Sequence, residues 1–317
     1  MKHVLSILLA ISLLLSLGFA SAAEDTLRVV ALKGPTAMGM VELMNENDPA
    51  YSFEIVSDIT MVTPMIAQGT VDIAAVPANV AAVLYNNPDV DVKVLCVNTL
   101  GVLYIVENGD TVHSVADLAG RTIYASGAGA TPEYALNYIL SAAGVEDAQI
   151  EWKSEHTECL AALLNDGNGI AMLPQPFATT ALMKNENLRV ALSLTEEWDA
   201  LQAEADEPSM LITGVLIVRA EYAQAHPDAV NAFMDRYAAS VAWVNENVEE
   251  AAALVGQYDI VPEAVAKLAI PACNIVCIRG EELVVALSGY LTVLYEQNPR
   301  AVGGAVPDDG FWYGVEP

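Results

Sequence analysis

The residues best placed to do chemistry are small and polar, and they recur just after apolar runs. Ser126-Gly127-Ala128-Gly129-Ala130-Thr131-Pro132-Glu133 follows one such run and precedes a helical pattern that opens on Pro132. Glycines let the backbone approach a ligand closely, Ser126 and Thr131 bring hydroxyls, and unpaired N–H groups at a helix start favour negative charge. The pattern predicts an anion-accepting turn built on Ser126, Gly127, Gly129 and Thr131. It partly mimics a dinucleotide fingerprint, but Pro132 stands where the third glycine belongs. A glycine turn of purely structural purpose fits the same residues.

Lys33-Gly34-Pro35-Thr36-Ala37-Met38 offers a second turn of this kind, with Pro35, Thr36 and Met38 as candidate contacts. An ordinary strand-to-helix turn with Thr36 as N-cap accounts for it equally well. Three smaller clusters place an amide or hydroxyl beside apolar neighbours, as small-molecule clefts do: Asn79 after Pro77-Ala78, Thr99 within Asn98-Thr99-Leu100-Gly101, and Gln175 between Pro174 and Pro176. Thr213, beside Gly214, is a weaker candidate. Gln175 is neutral where a carboxylate would have met a cation, which disfavours an amine ligand. Lys33 and the helix starts favour an anionic or strongly polar one, with Met38, Tyr124 and Tyr134 as an apolar or aromatic wall.

No nucleophile elbow, phosphate loop or His-Glu-x-x-His is present, and His3, His113, His156 and His226 are scattered. No cofactor or metal is therefore expected. Cys96 and Cys159 read as small buried hydrophobes, while Cys273 and Cys277 are close enough in sequence for a local bridge.

These turns need elements to hold them. Strand-like runs (27–32, 51–56, 71–76, 92–97, 102–106) alternate with helical patterns, and a second series follows (122–125, 150–153, 170–173). A polar segment spans 196–209, a long strand 211–219, and long helices 220–246, 249–256 and 281–295. Fully apolar strands separated by helices imply mostly parallel sheets covered on both faces. The fold class is α/β: two doubly wound units joined by extended strands that permit hinge closure, with ligand turns at the carboxyl ends of the strands.

Lys2 and His3 precede an apolar run from Val4 to Leu17 and then Ala20-Ser21-Ala22, which predicts a signal peptide over 1–22 and export. No cysteine stands directly after that run, the first being Cys96, so no lipid anchor is expected. The remainder exceeds one ordinary core, suggesting two lobes. A formal charge of −28, from 13 basic and 41 acidic residues, argues against nucleic acid.

Gln68-Gly69-Thr70-Val71-Asp72-Ile73-Ala74, the 126–133 turn, Leu173-Pro174-Gln175-Pro176-Phe177-Ala178-Thr179, the stretch from Tyr222 to Val230 with its His-Pro, and Ile270-Pro271 to Ile278, ending in Asn298-Pro299 and Gly303-Gly304, together resemble the substrate-binding proteins of ABC importers, in the sulfonate, nitrate and thiamine-precursor group. The resemblance implies a two-lobed type II periplasmic-binding fold, with lobe one from 27–106 and 213–317 and lobe two from 107–212. It implies a monomeric, non-enzymatic receptor that hands a sulfonate-, carboxylate- or pyrimidine-like molecule to a membrane permease. An enzyme on the same scaffold, similar to a thiamine-pyrimidine synthase, and a ligand sensor are the alternatives.

Overall fold

The computed structural model describes residues 26–203 and 209–315. The expected signal peptide lies outside them. The strands in chain order are β1 (Leu27–Leu32), β2 (Tyr51–Val56), β3 (Ile73–Pro77), β4 (Val92–Leu100), β5 (Leu103–Asn108), β6 (Thr122–Ser126), β7 (Gln149–Lys153), β8 (Ile170–Pro174), β9 (Leu188–Ser193), β10 (Ile212–Arg219) and β11 (Ile275–Ile278). They form two sheets, ordered β11-β4-β10-β3-β1-β2 and β7-β6-β8-β5-β9. Among the described residues no helix is long and apolar enough to cross a membrane.

The strands are apolar on both sides because both faces are covered. In the first sheet Val30, Ala74, Val76, Val215 and Ile217 pack into a core that continues into the second sheet, while Val29, Ala31, Ala75, Leu216 and Val218 pack beneath Phe233, Tyr237 and Val241 of the helix Pro227–Glu246. The sheets are mixed, against the expectation of mostly parallel pairing: β1–β2, β1–β3, β6–β7 and β6–β8 are parallel, whereas β10, β11 and β5 run antiparallel to their neighbours. The chain leaves the first sheet after Leu100 and enters the second at Leu103. The sequence-based division at 106/107 therefore falls inside a strand that pairs with β8 and β9 alone.

Several elements escaped the sequence reading, among them the helix Glu263–Ala269. β9 is an edge strand with a half-exposed face, so its apolar run is broken by Arg189 and Ser193. The helix Leu194–Gln202 buries Leu194, Trp198 and Gln202 at four-residue intervals, a stripe hidden among Glu196, Glu197 and Asp199. β11 is four residues long. The long helix expected over 220–246 is broken at His226-Pro227, where Pro227 starts a new helix.

The two crossings between sheets run side by side. A Cβ on Gly101 would stand 2.2 Å from Thr195 Oγ1 and 2.9 Å from Leu211 Cδ2, so only glycine allows this approach. Asn274 Nδ2 donates to the Gly101 carbonyl, at 2.5 Å.

Each sheet is pinned at one end by a buried carboxylate. Asp72, just before β3, accepts from the Arg28 backbone N–H and guanidinium in β1 and from Arg219 at the end of β10. Glu107 in β5 accepts from Thr111, Val112 and Arg189 of β9. Burial raises the Glu107 carboxyl, but the Thr111 hydroxyl, the two N–H groups and the Arg189 guanidinium together outweigh it and hold the group below its ordinary value.

Two outcomes follow. Asp72→Ala lowers stability by about 2 kcal/mol in urea unfolding, because the Arg28 N–H and two partly exposed guanidinium groups lose the buried carboxylate that accepts from them. Since the Glu107 carboxyl is lowered by folding, its contribution is present above the ordinary glutamate value and is lost as pH falls through the lowered one. Glu107→Gln is therefore less stable near neutrality and shows a shallower loss of melting temperature below about pH 4.3.

Candidate functional site

The strand registers decide where the polar turns lie. In the first sheet Ala31 aligns with Ala75, Pro77 pairs with Gly214, and Gly214 with Thr99. The turns at 33–36, 77–79, 98–100 and 213–214 thus share one edge. In the second sheet Tyr124 aligns with Ala171, which sets the turns at 126–131 and 174–177 side by side, and Leu103 pairs with Pro174. Both edges adjoin the crossing at 101–102, so they face one another. Asp72 and Glu107 lie at the opposite ends.

On the first edge Thr36 Oγ1 donates to the Leu32 carbonyl, at 2.9 Å. Asn98 Nδ2 donates to the Thr36 carbonyl, at 3.3 Å. A Cβ on Gly214 would meet Asn98 Oδ1 at 2.5 Å and Thr36 Cγ2 at 2.6 Å, so these residues form one tight floor. Three buried polar atoms there have no hydrogen-bond partner: Asn98 Oδ1, Thr99 Oγ1 and Tyr237 OH. The Tyr237 hydroxyl sits beside Asn98 without completing a bond to it. Unsatisfied buried polar atoms are costly, and three at one edge mark a place where a ligand would supply the partners.

On the second edge Ser126 Oγ stands 2.5 Å from His156 Nδ1, the proton resting on either according to the imidazole tautomer. The His156 ring lies 5.1 Å from that of Phe177. Gln175 Oε1 accepts from the Thr179 hydroxyl, at 2.8 Å. Ser126, His156 and Phe177 mark three strand-to-helix junctions, because Thr131–Ala142, His156–Asn165 and Phe177–Lys184 all begin here. Their free N–H groups give the wall a positive potential.

The edges touch through a chain of hydroxyls: Tyr290 OH donates to Thr131 Oγ1 at 3.1 Å, and Thr131 Oγ1 donates to Asn79 Oδ1 at 3.5 Å. Tyr104 OH also reaches the Ala272 carbonyl, at 3.0 Å.

Thr36, Asn79, Thr99, Ser126, Thr131 and Gln175 are therefore gathered at the facing edges and are all buried. Pro35 is half-buried at the start of its helix, and Thr213 sits at a register slip in β10. Gly127 and Gly129 have the positive φ that their turn demands, 89° and 78°. The Gly129 N–H, however, is occupied by the Glu133 carboxylate, which meets the anion-accepting role expected of it from within the chain. Met38 is wholly buried in the core beneath the helix Pro227–Glu246, and Lys33 pairs with Asp259 at 2.9 Å. Tyr124 donates to Asp166, and Tyr134 OH donates to the Gly129 carbonyl, bracing the turn.

The sequence reading missed His156, Tyr237 and Tyr290 in this role. His156 follows β7 at a carboxyl-edge turn left unnamed, a positional signal that was available. Tyr237 and Tyr290 arrive from distant helices and carry no local signal.

Burial lowers the His156 pKa, opposed by nearby Glu155, so the ring is neutral near pH 7. Among the described residues no carboxylate hydrogen-bonds this ring, whereas activation of a serine needs a third group to orient its base. Nor do the described residues hold a cluster of three His, Cys, Asp or Glu side chains fit for a metal. A hollow of about 610 Å³ beside the crossings is lined by Leu100, Leu211 and Ala286 with Asp199, Glu281 and Glu282, and shares none of the gathered residues.

A family model described as NMT1/THI5 like matches residues 53–251. No curated protein sequence matches the chain. Among solved structures it is similar to an ABC transporter protein from Parabacteroides distasonis, at 23% identity and TM-score 0.78 over 91% of this chain and 99% of that one. It is similar to the periplasmic aliphatic sulphonate binding protein SsuA from Escherichia coli, at 16% and 0.70 over 90% and 91%. The alkanesulfonate-binding protein SsuA from Xanthomonas axonopodis pv. citri, bound to MOPS, gives 15% and 0.61 over 89% and 94%. At such identities the likeness is one of fold, the two-sheet α/β architecture of periplasmic binding proteins.

In a proton NMR titration His156 titrates below the ordinary histidine value of about 6.5. Because the unfolded chain binds that proton more tightly, stability falls as pH drops from the ordinary value through the lowered one, and His156→Gln lacks this component. A His156 midpoint at or above 6.5 contradicts the buried neutral ring.

Proposed function

The chain belongs to the NMT1/THI5-like family, and from that membership we propose that it is an extracytoplasmic solute-binding protein, not an enzyme. It takes a small polar or anionic molecule between its two sheets and presents it to an ABC permease. One observation carries this reading: two facing strand edges, three helix starts on one and unpartnered Asn98, Thr99 and Tyr237 on the other. Such a cleft binds; it has no evident means of turnover.

The lobes of this proposal follow sheet membership, residues 27–100 with 212–315 against 103–202, hinged at the paired crossings by Gly101. Ligand that contacts both edges stabilises the closed arrangement, and that differential affinity drives closure. The names of the Escherichia coli and Xanthomonas neighbours favour a sulfonate-like cargo, as does the positive wall. The unpaired Asn98 Oδ1 asks in addition for a ligand donor, which a carboxylate or sulfonate bearing an amine, amide or pyrimidine would supply. Export through the segment 1–22 and a monomeric state belong to the same proposal.

A thermal-shift screen against sulfonates, nitrate, carboxylates, pyrimidines and amino acids tests it, since a ligand bound only by the native state raises the melting temperature. The expected result is a shift from one chemical class, and silence across all of them counts against the receptor. With that ligand, Ser126→Ala combined with Thr131→Ala lowers affinity at least about tenfold by calorimetry, through lost hydroxyl contacts. An unchanged dissociation constant removes the 126–131 turn from the site.

A further inference from the structure

We propose that Cys96 and Cys277 form a disulfide that ties β11 to β4 behind the floor of the cleft. The two cysteines lie in neighbouring antiparallel strands in which Ile278 pairs with Val97. That register sets Cys277 across from Asn98 and diagonal to Cys96, on one face of the sheet. Packing agrees: Cys96 is buried within, and Cys277 packs against, the core beneath the helix Pro227–Glu246, whereas Val97 and Ile278 belong to the opposite face. The register slips between Ile275 and Ile278, and such slips bend the strand and increase local twist, the irregularity that a diagonal pair, ordinarily about 7–8 Å apart, needs in order to be bridged. Both thiols are free and near enough to perturb one another's acidity. The local bridge from Cys277 to Cys273 is not what the structure prepares, since the thiol partner of Cys277 lies across the sheet.

The pair is also chemically asymmetric. Hydrogen bonding from Cys96 holds the Cys277 thiol below its ordinary value, against burial and with help from Arg279. Burial pushes the other three thiols up, Cys273 to about 12. Cys277 is half-buried and the rest are buried, so it is the accessible nucleophile. Its thiolate attacks one sulfur of an external low-molecular-weight disulfide, breaking that S–S bond and releasing one thiolate. Cys96 then gives up its proton to solvent and attacks Cys277 Sγ in the mixed disulfide, and the second external thiolate leaves. Two protein thiols are oxidised, one external disulfide is reduced, and the two released thiolates take up the two protons. The bond closes a loop of about 180 residues that contains the whole second sheet, so it restrains the unfolded chain strongly.

The test uses the purified full chain incubated with excess oxidised glutathione, unfolded in the presence of an alkylating agent, and mapped by peptide mass spectrometry. The expected product is about 2 Da lighter than the reduced protein, with Cys96 linked to Cys277 and with Cys159 and Cys273 alkylated. It melts about 5 °C above the reduced form. Cys277→Ser, at the half-buried position, abolishes the link, and Cys273→Ser retains it. Alkylation of all four cysteines, a link from Cys277 to Cys273, or loss of the link in Cys273→Ser overturns the proposal.

Discussion

The buried ion pair of Asp72 with Arg28 and Arg219 fixes the level at which three strands of the first sheet begin and end. Asp72 is sealed from water, the Arg28 N–H and the two guanidinium groups are the partners of its oxygens, and any slip of β1 or β10 against β3 breaks these contacts. Glu107 and Arg189 do the same for β5 and β9. The consequence appears at the far ends of the strands. Once the anchored ends are level, the opposite ends are level too, and the turns at Thr36, Asn79, Thr99 and Gly214 come out in a row.

The cleft inherits its electrostatics from that arrangement. Helices that begin at one sheet edge direct their first N–H groups toward that edge, among buried residues where a partial charge counts for more than at the surface. The chain moderates this with its own groups: Glu133 covers the Gly129 N–H, and Lys33 is drawn to Asp259. What remains for a ligand is a set of hydroxyls and amides, a more selective surface than a bare cationic pocket, because each unsatisfied atom rejects a ligand that cannot complete it.

The strands and most helices were legible in the sequence because both sheets are buried on two faces, which leaves long apolar runs with no polar interruption. The turns were legible for the complementary reason, since glycine, proline and small hydroxyl residues are concentrated there. Elements with one wet face were not: β9 and the helix Leu194–Gln202 disperse their apolar positions among charges. Contacts between distant stretches of chain were also hidden: the 126–131 turn does not itself announce His156, thirty positions on, whose only signal was its place after β7, and nothing near Asn98 announces Tyr237. The depth of Met38 was not legible, because it depends on a four-residue helix whose far end is buried.

The hydroxyl chain from Tyr290 through Thr131 to Asn79 joins the two edges without any ligand. In a receptor that works by closure, every such contact sets how much of the empty population is already shut. Each 1.4 kcal/mol of latch strength changes the ratio of shut to open molecules about tenfold. Apparent affinity rises with the competent fraction, while entry depends on the molecules that remain open. Tyr290, in a helix outside the cleft floor, is thus in a position to trade capture speed against retention through its hold on the Thr131 hydroxyl.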